Sequence, residues 1–181
     1  DSIRIFFSAL NILQVKQPVR VAFIPGQDSS SFLLLEKDGK KSIYSLDGKK
    51  LFTATYDDIQ YAGEGFFRVY KRDKKGIVTS SGKLLLPLSY DAIGTVKNGV
   101  VSLLTAMKFG LYNCVQRKLI KPQYEKNLTV YNPAVLTAYK NGLYGFIGWK
   151  NEPVSKIEFE EIRFWNDSAT KKKKNNQWMI Y

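Results

Sequence analysis

The chain has 181 residues, 44% hydrophobic and 14% aromatic, with 28 Lys and Arg against 16 Asp and Glu, a formal net charge of +12. That length suits one folded domain better than two, and the charge favours polyanionic partners or, equally, a lysine-rich solvated surface. With no His and only Cys114 as a cysteine, His-dependent triads, His-ligated metal sites and internal disulfides are excluded.

Residues 1–18 are apolar in patches (Ile5, Phe6, Phe7, Leu10, Ile12, Leu13), but Arg4 and Asn11 interrupt the run. The segment is too short and too broken for a membrane-spanning helix, and it lacks a clear signal-cleavage pattern. It is set apart as an N-terminal segment of unassigned role. Residues 19–181 read as one β-repeat domain with no transmembrane segment.

Val19 to Ile24 reads as a strand, and Phe32 to Lys37 has the phase of a later strand, Phe66 to Lys71. From there a period of about 34 residues governs the chain. Lys41 to Phe52 aligns with Lys75 to Leu86, then with Phe109 to Tyr112, and one residue out of step with Tyr144 to Ile147. An aromatic column at Tyr56, Tyr90, Tyr124 and Phe159 keeps the same phase, as do apolar pairs after Ser42, Gly76, Gly110 and Gly145. The chain closes on Gln177 to Tyr181, in the phase of another opening strand.

Each unit reads as short strands separated by turns. Asp47-Gly48 and Ser81-Gly82 lie between apolar runs, where glycine takes a positive φ without steric cost. Gly65 and Gly99 mark a second turn. Pro87 and Pro122 suit a strand end or edge, because proline cannot donate to a ladder. No helical period is sustained. The fold class is therefore all-β: about four full repeats with complementary half-repeats at both ends, forming either a small closed propeller or an open β-solenoid. In the closed form, Val19 to Ile24 would supply the strand missing between the two ends.

Lys75-Gly76-Ile77-Val78, Ser81-Gly82-Lys83, Pro87, Tyr90-Asp91-Ala92-Ile93 and Asn98-Gly99 together resemble the WG repeat family. Lys41 to Gly65 matches nearly as well, whereas Gln116-Arg117 and Lys150-Asn151 stand where a turn glycine belongs, and Trp-Gly never occurs intact. The resemblance implies a bacterial protein, often envelope-associated (periplasmic or surface), without a shared enzymatic activity and with a role in interaction. It carries no site residues onto this chain.

Candidate sites come from the repeat phase. Lys37, Lys71, Lys140 and Lys174 share one phase, broken only at Thr105, and Lys40, Lys74 and Lys108 share another. Read as loops between stacked units, they would form a basic rim thickened by Arg72, Lys171, Lys172 and Lys173. Such a rim fits an anionic ligand (glycan, lipid headgroup or nucleic acid) or an acidic partner. The same lysines equally describe soluble loops that protect strand edges. Trp149 and Trp165 fall outside the strongest columns and are candidate exposed contacts for a sugar or partner, while Tyr144 and Trp178 read as core. Asp57-Asp58 and Glu160-Glu161 are the only acid pairs in one shared turn, a position better suited to structure than to hydrolysis. Cys114 reads as a buried strand residue. No phosphate loop, dinucleotide fingerprint or metal motif is present. The expectation is a non-enzymatic protein-interaction scaffold without cofactor, or alternatively a polyanion- or glycan-binding module.

Overall fold

The structure, a computed structural model, describes residues 20–25, 31–37, 39–166 and 169–180, with side chains at 20, 21, 164–166, 169–171 and 180 outside that description. The N-terminal segment 1–18 lies outside the described residues. Every regular element described is a β-strand, and no helix among them is long and apolar enough to cross a membrane. The chain divides into two compact units, with the boundary between Asn98 and Gly99.

In the first unit, β1 (Arg20–Pro25), β2 (Ser31–Lys37), β3 (Lys40–Ser45) and β4 (Lys50–Ala54) lie side by side in chain order. A second sheet repeats that order with β5 (Asp58–Gly63), β6 (Phe66–Lys71), β7 (Lys74–Thr79) and β8 (Leu84–Tyr90), followed by the short β9 (Ala92–Ile93). In the second unit, β10 (Val100–Thr105), β11 (Lys108–Asn113) and β12 (Lys118–Tyr124) are antiparallel neighbours. They are followed by β13 (Thr129–Asn132), β14 (Val135–Lys140) and β15 (Leu143–Gly148), then by β16 (Glu161–Asn166), β17 (Ala169–Lys174) and β18 (Gln177–Ile180).

The strand expected at Val19 to Ile24 is β1, and it lies beside β2. Arg20 to Pro25 pairs residue by residue with Glu36 back to Ser31. With β1 in place the first sheet has four antiparallel strands. The four apolar or small residues from Val21 to Ile24 sit opposite Leu35, Leu34, Leu33 and Phe32, a continuous apolar match.

Alternation along the strands builds each core. In β6, Phe67 and Val69 are fully buried; in β10, Val101 and Leu103 play the same part. The first unit's core gathers Ile43, Phe52, Ile59, Phe67 and Val78, and the rings of Phe32, Tyr61, Phe52 and Phe67 meet with centroids 4.9–5.4 Å apart. The second unit's core gathers Leu111, Ile120, Tyr124, Leu136, Ile147 and Trp149. Pro87 and Pro122 lie on β8 and β12, the outer strands of their sheets, as their missing donors require.

Glycine on the third strand has a steric cause. A Cβ at Gly76 would stand 2.7 Å from the backbone oxygen of Leu86, and one at Gly110 2.7 Å from the nitrogen of Pro122. One at Gly145 would meet the Cα of Ile157 at 2.7 Å. The ladders β7–β8 and β11–β12 slip at these points, and the bulging outer strand fills the space of the missing side chain. In the first sheet the slip falls later, between Ile43 and Tyr44, and Ser42 pairs in register with Thr53. Serine fits there because the backbone does not close over it, and its hydroxyl lies 3.0 Å from that of Thr53.

Candidate functional site

The predicted lysines lie on hairpin tips inside the sheets and not on loops between them. Cα pairing sets Lys37 opposite Lys40, Lys71 opposite Lys74, Thr105 opposite Lys108, Lys140 opposite Leu143 and Lys174 opposite Gln177, leaving two-residue turns between. These turns join the last strand of one sequence repeat to the first of the next, and the register sets the two lysine positions across a single turn. The Asp47-Gly48 and Ser81-Gly82 turns are longer, closed by Ser45 N–H to Lys49 O at 3.0 Å and Thr79 N–H to Lys83 O at 2.9 Å.

Such tight turns match strand twist when the central residues take a positive φ. Asn141 (53°) with Gly142 (80°) and Asn175 (49°) with Asn176 (61°) are residues that accept it readily. Ala106 (48°) and Met107 (59°) do so against a cost of about 1 kcal/mol each. Gln116-Arg117 and Lys150-Asn151 replace the expected turn glycine through Arg117 (φ 55°) and Asn151 (φ 65°), the latter also accepting the Tyr124 hydroxyl at 2.6 Å.

Acidic residues beside the aromatic column hold these tips in place. In the first unit, the Asp57 carboxylate accepts the Arg72 amide at 2.6 Å, while the Asp57 carbonyl accepts the Lys41 ammonium. Lys74 pairs with the Asp91 carboxylate, and Lys75 donates to the Asp91 carbonyl. In the second unit, Glu125 accepts the Asn141 amide at 3.3 Å and lies 3.6 Å from Lys108. Glu160 accepts the Asn176 amide at 3.3 Å and stands 4.0 Å from Lys173, and Glu158 accepts from Lys174 at 2.9 Å. The Asn141 amide, above other causes, lowers the Glu125 carboxyl below its usual value; the Lys174 hydrogen bond does the same for Glu158.

The acid pairs thus have structural duties: Asp57 and Glu160 as above, Asp58 accepting from Gln60 at 3.1 Å, and Glu161 from Arg163 at 2.6 Å. Lys74, Lys108, Lys173 and Lys174 are partly neutralised, each by a solvent-facing pair that adds little to stability. Lys37, Lys40, Lys71, Arg72 and Lys140 stand exposed at the tips.

Lys172 does not belong to the rim. Its phase is that of Leu35, Val69 and Leu103, and its ammonium sits 4.8 Å from the Phe146 ring centre and 5.0 Å from that of Phe159. Burial there lowers its pKa. A run of four lysines along a strand must alternate faces, so only part of it can point to solvent. The side chain of Lys171 lies outside the described residues, as does that of Trp165.

The aromatic assignments are reversed. Trp149, expected as an exposed contact, is 6% exposed, packs in the second unit's core and donates its indole N–H to Pro133 O at 3.1 Å. Trp178, expected as core, is 40% exposed with the Arg163 guanidinium 4.9 Å over its ring. Tyr144 is half-buried and accepts from Lys126 at 2.8 Å. Cys114 is buried just after β11, its amide donating to Gly99 O at 2.7 Å. In the first unit a cleft of about 610 Å³ opens where Phe23, Pro25, Glu36, Asp58, Gln60 and Tyr61 face one another.

Sequence reasoning missed two things here: the acids that tie the tips, and Met107, 81% exposed on its turn. The shared phase of Asp57, Asp91, Glu125 and Glu160 could have shown the first. The break in the lysine column at Thr105 could have shown the second.

No protein-family model and no curated protein matches the sequence. Among solved structures, the chain is similar to one titled a eukaryotic initiation factor, with 11% identity and a TM-score of 0.46 over 92% of this chain and 52% of that one. It is similar to Hsv2 of Kluyveromyces lactis, with 9% identity and a TM-score of 0.34 over 87% of this chain and 42% of that one. The extracellular domain of the one-component system BT4673 from B. thetaiotaomicron has 13% identity and a TM-score of 0.34, over 89% and 28%. The chain spans about half the length of the first of these and less of the others.

Proposed function

We propose that this chain is a non-catalytic interaction scaffold, built of tandem WG-like β units, that docks an acidic protein partner on its basic hairpin tips. One observation carries the reading. Lys37 stands opposite Lys40 and Lys71 opposite Lys74 across tight turns, whereas Asp57 is held by a backbone amide of the neighbouring tip. Like charges placed directly opposite work against strand pairing; Asp91 offsets Lys74 from within the chain, and an acidic ligand would add to that offset across the exposed tips. The resemblance to WG repeats supports a setting in a bacterial envelope assembly. The period of about 34 residues supports either a closed ring or an open array of such units.

Retention on immobilised poly-L-glutamate, read against ionic strength, tests the proposal. Retention should fall steeply with salt, and replacing Lys37, Lys71, Lys74 and Lys140 together by Glu should abolish it. Unchanged retention by that variant overturns the role of the tips. The net charge of +12 favours a second reading, a polyanion-binding module. Elution from heparin or DNA at markedly higher salt than from polyglutamate would select it.

A further inference from the structure

We propose that Met107 is an apolar anchor beside the basic tips of the second unit, so that the partner docking there is an acidic protein segment carrying an apolar side chain beside its carboxylates. The inference rests on the docking reading above and specifies its occupant. Three observations converge on the β10–β11 tip. Both of its turn residues, Ala106 and Met107, hold a positive φ (48° and 59°) that favours Gly and Asn, the residues found at the β14–β15 and β17–β18 tips. Backbone strain of this kind clusters at functional sites. Met107 is 81% exposed, the most exposed of the large hydrophobic residues described. The lysine column breaks here and on the next tip, where Thr105 and Leu143 stand in lysine positions.

Glu125 joins these two tips, standing 3.6 Å from the Lys108 ammonium and accepting the Asn141 amide at 3.3 Å. The local surface therefore combines Lys108 and Lys140 with the apolar Met107 and the half-buried Leu143. A bare polyanion has nothing for the thioether. A segment with aromatic or aliphatic residues among its acids does, because a flexible, polarisable methionine packs well against rings.

The test compares two probes on the whole chain: poly-L-glutamate and a random copolymer of glutamate and tyrosine. The native protein is expected to bind the copolymer about fivefold more tightly. The double variant Ala106→Asn/Met107→Gly supplies the preferred turn residues, so it should melt higher than the native chain while binding both polymers equally. The single variant Met107→Lys adds charge and should also lose the preference. A preference retained by both variants, or absent from the native chain, overturns the anchor. Failure of the native chain to bind either polymer overturns the docking reading itself, and the anchor with it.

Discussion

The carboxylate of Asp57 accepts the backbone amide of Arg72 at 2.6 Å, across fifteen positions of sequence. A side chain that follows β4 thereby holds the turn between β6 and β7, and the Lys41 ammonium reaches the carbonyl of the same aspartate. One residue joins two consecutive sheets of the first unit.

Replacing Asp57 by Ala should cost about 1 kcal/mol, the net worth of one such hydrogen bond. For a unit of this size that lowers the melting temperature by about 4–8 °C. Asp57→Asn, which keeps one acceptor oxygen, should recover much of the loss. Thermal melts of the two variants check this, and equal losses would mean that charge rather than the acceptor matters.

Glu125 predicts a pH dependence. The folded carboxyl is held below its ordinary value, chiefly by the Asn141 amide and with a contribution from Lys108. Its stabilisation is therefore present above the unfolded carboxylate range and is lost as pH falls through the lower folded value. Between pH 7 and pH 3 the melting temperature of Glu125→Gln should fall less than that of the native chain. Parallel curves would refute the tie.

Gly110→Ala places a methyl group against the backbone of Ile120 and Pro122. Overpacking of that kind should cost about 1–3 kcal/mol. Ser42→Ala, at the matching strand of the first sheet, meets no such wall and should stay within about 0.5 kcal/mol. Urea unfolding of both variants tests the contrast.

Lys172 sits half-buried over Phe146 and Phe159, where burial disfavours its charged form. Its lowered folded pKa means that folding is penalised at neutral pH and relieved as pH rises toward the unfolded lysine value. Lys172→Met should therefore raise the melting temperature at pH 7, with a smaller gain near pH 10. A gain independent of pH would assign the effect to packing alone.

Much of the architecture was legible in the residues. The glycines and the aromatic column at Tyr56, Tyr90, Tyr124 and Phe159 locate the strands, because each occupies a position with a definite steric demand. The hairpin tips were located as well, but spacing alone does not say that Lys71 and Lys74 face each other across one turn. Trp149 and Trp178 were reversed for a related reason. Trp149 is buried by the packing of its own unit and finds Pro133 O sixteen residues earlier, a partner no local pattern announces. Trp178 keeps its repeat phase, yet remains open to solvent beside Arg163.

The tie through Glu125 has a mechanical consequence. It links the β10–β11 tip to the β14–β15 tip at their outermost turns, by one carboxylate and without covalent bonds. Tension drawing those tips apart is borne by that contact together with the Glu125 amide's hydrogen bond to Tyr139 O at 3.1 Å. Pulled across these two tips in a force spectrometer, Glu125→Gln should part at lower force than the native chain.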